Sequence, residues 1–85
     1  MARSPFCLYC ELEGRLSAAE LVDHLYPHKG DRWLFWVQRL WVSSCENCHN
    51  GFKQSVERSG VAAIDALARR LHLPTLVQVR AEEGM

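Results

Sequence analysis

The sequence predicts a small α+β domain that is stapled by a zinc ion and carries an additional helix near its C-terminal end. Three observations predict this fold class: a length of 85 residues with 48% hydrophobic residues, two Cys-x-x-Cys pairs, and a C-terminal stretch with helical spacing of apolar residues. A chain this short buries only a small core, and such cores are commonly completed by disulfides or a structural metal.

Composition and charge exclude several classes of protein. The hydrophobic fraction is too high for a disordered chain, and no apolar run approaches the roughly 20 residues of a membrane span. No apolar segment of a secretory signal is visible, so we expect a cytoplasmic, reducing environment. Ten Lys and Arg residues balance ten Asp and Glu residues. Bulk charge therefore does not favour a non-specific DNA binder, and a phosphate partner would need local side chains and a bound cation.

The four cysteines form the strongest pattern in the chain, as the knuckles Cys7-Leu-Tyr-Cys10 and Cys45-Glu-Asn-Cys48. Two such knuckles supply the four thiolates of a tetrahedral zinc site, which leaves no open coordination position. The pattern predicts a structural zinc bound by these four residues, with two disulfides or four unrelated thiols as the alternatives. Residues 11–44 separate the knuckles, which is more than in ordinary zinc fingers or ribbons, so this insert has an architecture of its own.

Local propensity leaves the elements of the insert open between helix and strand. Ser17 and Glu20 fit a capping box and the alanines between them favour a helix, whereas residues 21–25 also permit a short strand. Proline and glycine predict a turn over residues 27–31. The apolar residues 32–37 fit a short helix or a buried strand.

The elements after the insert follow from spacing and from proline. Residues 41–44 fit a brief strand that leads into the second knuckle, and a helix is predicted to begin near His49. Apolar residues recur at helical spacing over residues 61–71, and Pro74 ends that helix. Residues 75–80 then form a terminal strand or an extended tail. We expect the aromatic residues of the insert to lie in the core rather than stack on bases; they are Trp33, Phe35, Trp36 and Trp41.

Asp23, His24 and His49 form a second group of candidate functional residues, because the predicted zinc site would bring their segments together. A carboxylate and an imidazole that face each other can hold a hard divalent cation, and a histidine with a pKa of roughly 6.5 suits a base at neutral pH. On spacing alone, three polar surface residues beside a zinc knuckle remain the alternative. His72, alone in the C-terminal helix, fits a surface position.

Several stretches taken together resemble the HNH endonucleases of phages and bacteria. They are Val22-Asp23-His24-Leu25-Tyr26-Pro27-His28-Lys29-Gly30-Asp31, Leu34-Phe35-Trp36, Trp41 and Cys45-Glu46-Asn47-Cys48-His49-Asn50-Gly51-Phe52-Lys53. The match runs from about Phe6 to Gln54. Its specificity lies in the combination of both knuckles, the Asp-His pair, the Pro-His-Lys-Gly-Asp turn and the histidine directly after the last cysteine.

The resemblance implies a ββα-metal domain over residues 1–58, with the Asp-His pair on the first strand of a zinc-tied hairpin. It implies a metal-dependent DNA endonuclease that hydrolyses phosphodiester bonds. In that family His24 would be the general base, and Asp23 and His49 would bind a catalytic divalent cation such as Mg²⁺ or Mn²⁺. Residues 59–85 would add an amphipathic C-terminal helix and a tail.

DNA is the partner that the resemblance implies. Lys29, Arg32 and Lys53 are candidate phosphate contacts, with solvated surface charge as the other interpretation. The C-terminal helix either covers the hairpin or docks a protein partner such as phage packaging machinery.

Two positions depart from the family pattern. Leu40 stands where the family has its middle Asn, and Val37 stands where it usually has Asp. In the family, the Asn braces the loop near the base through backbone hydrogen bonds, which a leucine side chain cannot make. The resemblance therefore implies an endonuclease that is weakened at this point, and the alternative is a catalytically inactive zinc module that binds DNA or protein.

Overall fold

The computed structural model describes residues 4–82, which fold as a two-stranded antiparallel sheet surrounded by short helices. Strands β1 (Leu21–His24) and β2 (Trp41–Ser44) pair so that His24 lies opposite Trp41 and Leu21 opposite Ser44. The helices are α1 (Leu8–Leu12), α2 (Arg32–Phe35), α3 (Glu46–Asn50), α4 (Phe52–Arg58), α5 (Val61–Arg70) and α6 (Leu76–Glu82), with a 3₁₀ turn at Gln38–Leu40. The α+β fold class is confirmed.

The stretch before β1 is extended, so the capping box predicted from Ser17 and Glu20 is wrong. Glu20 donates its backbone N–H to Ser44 at 2.9 Å, which continues the pairing of the two strands. Its carboxylate instead accepts the backbone N–H of Glu46 at 3.0 Å, at the start of α3. Strand pairing with a distant segment therefore overrides the local helix propensity of this stretch.

Both cysteine knuckles begin a helix in the same way. The sulfur of Cys7 accepts the backbone N–H of Cys10, and the sulfur of Cys45 accepts that of Cys48, each at 3.4 Å. The first cysteine of each knuckle is therefore an N-cap, which satisfies a backbone donor that a helix start leaves free. This cap explains why α3 begins at Glu46 rather than near His49, where the sequence predicted the start.

Residues 75–80 do not form a strand or an extended tail, because helix α6 begins at Leu76. Thr75 and Gln78 form a reciprocal capping box, in which each side chain accepts the backbone N–H of the other, at 3.4 Å and 2.8 Å. Val79 is fully buried on the inner face of this helix. The Thr-x-x-Gln spacing is the sequence signal that would have predicted α6.

The two C-terminal helices complete the core of the domain. Ile64, Leu67 and Ala68 of α5 are buried in the same hydrophobic cluster as residues of the hairpin and of α2. Tyr26, just after β1, donates its hydroxyl to Asp65 of α5. The apolar face of α5 thus covers the hairpin, which is one of the two roles that the sequence left open for it. None of the helices within residues 4–82 has the length and apolar character needed to cross a bilayer.

The aromatic residues of the insert are less buried than the sequence predicted. Trp33, Phe35 and Trp41 are half-buried, and the guanidinium of Arg80 lies 4.6 Å from the ring centre of Trp33. Trp36 is 66% exposed, so its assignment to the core is wrong. The core positions next to it are taken by Leu34 and Val37, because α2 is a single turn that ends at Phe35.

Candidate functional site

The four cysteine sulfurs lie within 4.8 Å of one another and are buried. The sulfur of Cys10 is 3.8 Å from that of Cys45 and 3.6 Å from that of Cys48. A tetrahedron with bonds of ~2.3 Å has edges of roughly 3.8 Å, so the spacing fits zinc. A disulfide needs roughly 2.05 Å between its sulfurs, and all four cysteines are free. The predicted convergence of the knuckles is confirmed: the cluster can hold a metal ion such as zinc.

The surroundings of Cys7 and Cys48 shift the pKa values of their thiols in opposite directions. Burial by itself raises the pKa of Cys7, but hydrogen bonds from the backbone at Cys45 and Cys10 and from their thiols outweigh it and lower that pKa to about 7. Burial, together with hydrogen bonds to the other thiols, raises the pKa of Cys48 far above its usual value. One thiolate is therefore readily formed near neutral pH, whereas a bound metal would have to displace the proton of Cys48.

Asp23 lies at the centre of a second, separate cluster. The residue is 3% exposed, and each of its carboxylate oxygens has a partner. Oδ2 accepts the hydroxyl of Tyr9 at 2.6 Å and lies 3.2 Å from Nζ of Lys53. Oδ1 lies 2.8 Å from Nδ1 of His49. The carboxylate is thus fixed by groups from the first knuckle, from the second knuckle and from α4.

Tyr9 is part of this cluster although the sequence gave it no role. Burial, and then the charge of Asp23, raise its pKa far above the usual value, so the hydroxyl keeps its proton and acts as a donor. The residue lies between the cysteines of the first knuckle, so the fold of that knuckle positions the hydroxyl. The cysteine cluster and the carboxylate are therefore connected through Tyr9.

Asp23 and His49 form a hydrogen-bonded pair whose separation is close to that of two neighbouring ligands of a metal ion. Two ligands at right angles, each about 2.1 Å from an octahedral ion, lie about 3 Å apart, and Oδ1 and Nδ1 are separated by 2.8 Å. Asp23 has only Oδ1 to offer, since Oδ2 is held by Tyr9 and Lys53. His49 is exposed over 40% of its side chain, so the pair opens towards solvent on that side.

The ring of His24 is oriented by a backbone carbonyl. Nε2 lies 3.1 Å from the carbonyl oxygen of Phe35, which also accepts the indole N–H of Trp41 at 3.1 Å. Because a carbonyl only accepts, Nε2 carries the proton of the neutral ring. Nδ1 is then the unprotonated nitrogen, which is able to take a proton from another molecule. This arrangement determines the tautomer that a general base at His24 requires.

Lys53 holds the backbone of His24 through a hydrogen bond. Its ammonium donates to the carbonyl oxygen of His24 at 3.0 Å and pairs with Glu57 at 2.5 Å. The lysine is fully buried, so it is an internal brace and does not have the exposure that the predicted phosphate contact requires. The Lys-x-x-x-Glu spacing within α4 is the sequence signal for this pair.

Leu40 holds the turn that follows β1, and it does so through its backbone only. Its carbonyl oxygen accepts the backbone N–H of Leu25 at 2.9 Å, while its side chain is buried in the core. Leu25, the residue after His24, is thus held by a hydrogen bond that any side chain at position 40 permits. Together with the ammonium of Lys53, this bond braces the turn without an Asn side chain.

A cleft of about 250 Å³ joins the predicted catalytic residues. Asp23, His24 and His49 all line it, and the remaining lining residues are Val22, Pro27, His28, Lys29 and Glu57. Strand β1 ends at His24, so the side chains of two successive residues reach one cleft, although alternation along a regular strand would place them on opposite faces.

The remaining residues singled out by the sequence lie at different places on the surface. Lys29 is exposed at this cleft, and Arg32 lines a neighbouring groove. His72 is exposed at the end of α5, as the sequence predicted. Glu57, which the sequence analysis missed, lies in the cleft as the partner of Lys53.

Comparisons with protein-family models, with curated proteins and with solved structures find no match to this chain.

Proposed function

We propose that the protein is a metal-dependent endonuclease of the HNH type, which hydrolyses phosphodiester bonds of DNA. One observation carries this proposal. Asp23, His24 and His49 come from a strand and from a helix that begins in the second knuckle, and they line a single cleft. A carboxylate paired with an imidazole, next to a second imidazole of fixed tautomer, supplies two candidate metal ligands and a general base, which suits metal-assisted hydrolysis of a phosphodiester.

His24 is the general base in this proposal. Nδ1 accepts a proton from a water molecule while Nε2 keeps its hydrogen bond to Phe35. The oxygen of that water forms a bond to phosphorus as the bond from phosphorus to the 3′-oxygen breaks. The 3′-oxygen leaves with the electron pair of that bond and takes a proton from a solvent water molecule, so the products are a 5′-phosphate and a 3′-hydroxyl. Because the carbonyl of Phe35 is fixed by the fold, the imidazole does not reorient during proton transfer.

Asp23 and His49, whose Oδ1 and Nδ1 now share a hydrogen bond, would hold the catalytic cation in place of that bond. When bound, a divalent ion such as Mg²⁺ or Mn²⁺ stabilises the negative charge that develops on the phosphate and on the leaving oxygen. Tyr9 and Lys53 keep the Asp23 carboxylate in one orientation. Lys29, exposed at the cleft, offers a positive charge to the DNA backbone. Local charges and one bound cation are thereby sufficient for a chain whose net charge is zero.

The zinc cluster has a structural role in this proposal. It ties the start of α1 to the start of α3, and so it brings Tyr9 and His49 to the same carboxylate. Four cysteine ligands leave no open position, so the ion at this cluster takes no part in the hydrolysis.

A catalytically inactive zinc module that binds DNA is the second candidate, and one observation favours it. Lys53 already places a positive charge 3.2 Å from Asp23, and this charge opposes the binding of a second cation. In this alternative, the cleft retains affinity for the phosphate backbone and does not hydrolyse it.

Nicking of supercoiled plasmid DNA by the zinc-loaded protein tests both candidates, with Mg²⁺ or Mn²⁺ added. We expect nicking that needs the added ion and that falls by roughly 10²- to 10⁴-fold in His24→Asn, the usual contribution of a general base. His72→Asn is the matched control, because His72 is exposed at a positive φ of 60° that Asn tolerates. Binding without nicking under both metals supports the inactive module, and equal nicking by wild type and His24→Asn contradicts the assigned base.

A further inference from the structure

A second groove of about 300 Å³ adjoins the candidate active-site cleft. It is lined by His28, Gly30, Asp31, Arg32, Phe35 and Trp36. His28 lines both the groove and the cleft, so the two are adjacent. A ligand that lies in the cleft therefore has a neighbouring space of its own into which it can extend.

Aromatic rings connect His24, the proposed general base, to the outer end of this groove. The ring of Phe35 lies 4.8 Å from that of His24, 5.0 Å from that of His28 and 5.0 Å from that of Trp36, measured between centres. Trp36 is perpendicular to Phe35 within 16°, given an interplanar angle of 74°. The contact holds the indole at the end of the row while two thirds of the residue stays in solvent.

The charges around the groove suit a phosphate-bearing ligand. Arg32 is exposed within it, and Lys29 is exposed at the adjoining cleft. The carboxylate of Asp31 accepts the backbone N–H of Leu34 at 3.1 Å and lies 3.5 Å from the guanidinium of Arg80. Its negative charge is thus partly compensated, and the cations at the groove remain available to a ligand.

We infer that this groove binds the base of an unpaired nucleotide, stacked on Trp36, that lies next to the phosphate held in the cleft. The inference rests on the proposed function for its choice of a nucleotide. A chain with no net charge gains little affinity for nucleic acid from its overall charge, whereas stacking of a base on an aromatic ring is independent of charge and of sequence. The substrate would then be single-stranded DNA, or duplex DNA opened at the cleavage point.

The test measures binding in the absence of added Mg²⁺ or Mn²⁺, so that cleavage does not contribute. Two probes are compared: a short oligothymidylate and an abasic oligonucleotide of the same length, which carries the same phosphates and no bases. Fluorescence anisotropy of labelled probes gives the two dissociation constants for the full chain. Stacking contributes roughly 1–3 kcal/mol per base, so we expect the wild type to bind oligothymidylate roughly 5- to 150-fold more tightly than the abasic probe.

Three variants assign this preference to the indole. Trp36→Leu removes the aromatic ring and keeps an apolar side chain, so the preference should disappear, while Trp36→Phe should retain part of it. Leu16→Ala is the control, because Leu16 is a similarly exposed apolar residue, 74% accessible, outside the groove. Zinc content and circular dichroism establish that each variant is folded.

Equal affinity of the wild type for both probes overturns the inference, as does a preference that persists unchanged in Trp36→Leu. The plasmid assay separates this result from the proposed function. If the protein nicks plasmid DNA but binds both probes equally, base stacking is refuted and the proposed endonuclease is not. A preference that depends on Trp36, in a protein that nicks under neither metal, supports the base site and refutes the endonuclease.

Discussion

The ammonium group of Lys53 lies 3.0 Å from the carbonyl oxygen of His24, so a buried cation holds the backbone of the residue proposed as the general base. The same ammonium lies 3.2 Å from Asp23 and 2.5 Å from Glu57. A single side chain from α4 therefore connects the base, the carboxylate beside it and an acidic residue of the cleft. This arrangement holds the end of β1 in addition to the hydrogen bond between Leu25 and Leu40.

Replacing Lys53 with methionine should destabilise the protein. The variant keeps the apolar stem but leaves the buried carboxylate of Asp23 without its cation, and breaking a buried ion pair in this way costs roughly 3–5 kcal/mol. Urea denaturation measures the loss. Arg58→Met, an exposed residue of the same helix, is the control and should change stability by less than about 0.5 kcal/mol. Similar unfolding curves for the two variants would show that Lys53 does not brace the site.

Leu40→Asn should lower stability and should not increase nicking. The leucine side chain is 2% exposed in the core, and an amide there loses apolar contacts and buries polar groups, at a cost of roughly 3–5 kcal/mol. Leu40→Met preserves the volume and should cost less than about 1.5 kcal/mol. Urea denaturation measures the change in stability, and the plasmid assay measures nicking. A rise in nicking by Leu40→Asn at unchanged stability would mean that the turn does need an Asn, and that our account of its bracing is wrong.

Removal of zinc should unfold the domain. The four cysteines connect the start of α1 to the start of α3, and in a chain of this size the binding free energy of a structural metal is part of the folding free energy. Thermal unfolding followed by circular dichroism should lose its cooperative transition when a chelator removes the metal, and regain it when one equivalent of zinc is added. Cys48→Ser should behave like the metal-free protein. A metal-free protein that melts at the temperature of the zinc-loaded one would contradict a structural role for the ion.

Alkaline pH should weaken the contact between the turn after β1 and helix α5. Burial, and then the hydrogen bond to Asp65, raise the pKa of Tyr26 to about 12. In the unfolded chain a tyrosine ionises near pH 10, so the contribution of Tyr26 is fully present below roughly pH 10 and is lost as the pH rises towards 12. Tyr26→Phe lacks this titration. The difference in unfolding free energy between wild type and Tyr26→Phe, measured in urea at increasing pH, should shrink above pH 10; a constant difference would contradict the assignment.

Local signals in the sequence predicted the parts of the fold that depend on close neighbours. The knuckles are determined by cysteines three residues apart at the start of a helix, and α5 by apolar spacing over residues 61–71. Helix α6 was also within reach of the sequence, since Thr75 and Gln78 form a recognisable capping box. Strand β1 was not decided by local propensity, because its pairing with β2 competes with a local preference for helix; the family resemblance implied the strand that the structure shows.

The sequence alone determined that four cysteines would meet and which acidic and imidazole side chains were candidates for a second site. Only the tertiary structure decided that Asp23 pairs with His49, a residue 26 positions away, and that Lys53 turns inward to the backbone of His24, 29 positions away. It also decided that Trp36 faces solvent. The physical reason is that spacing reports contacts within a few residues, whereas the direction of a side chain depends on which distant segment fills the space beside it.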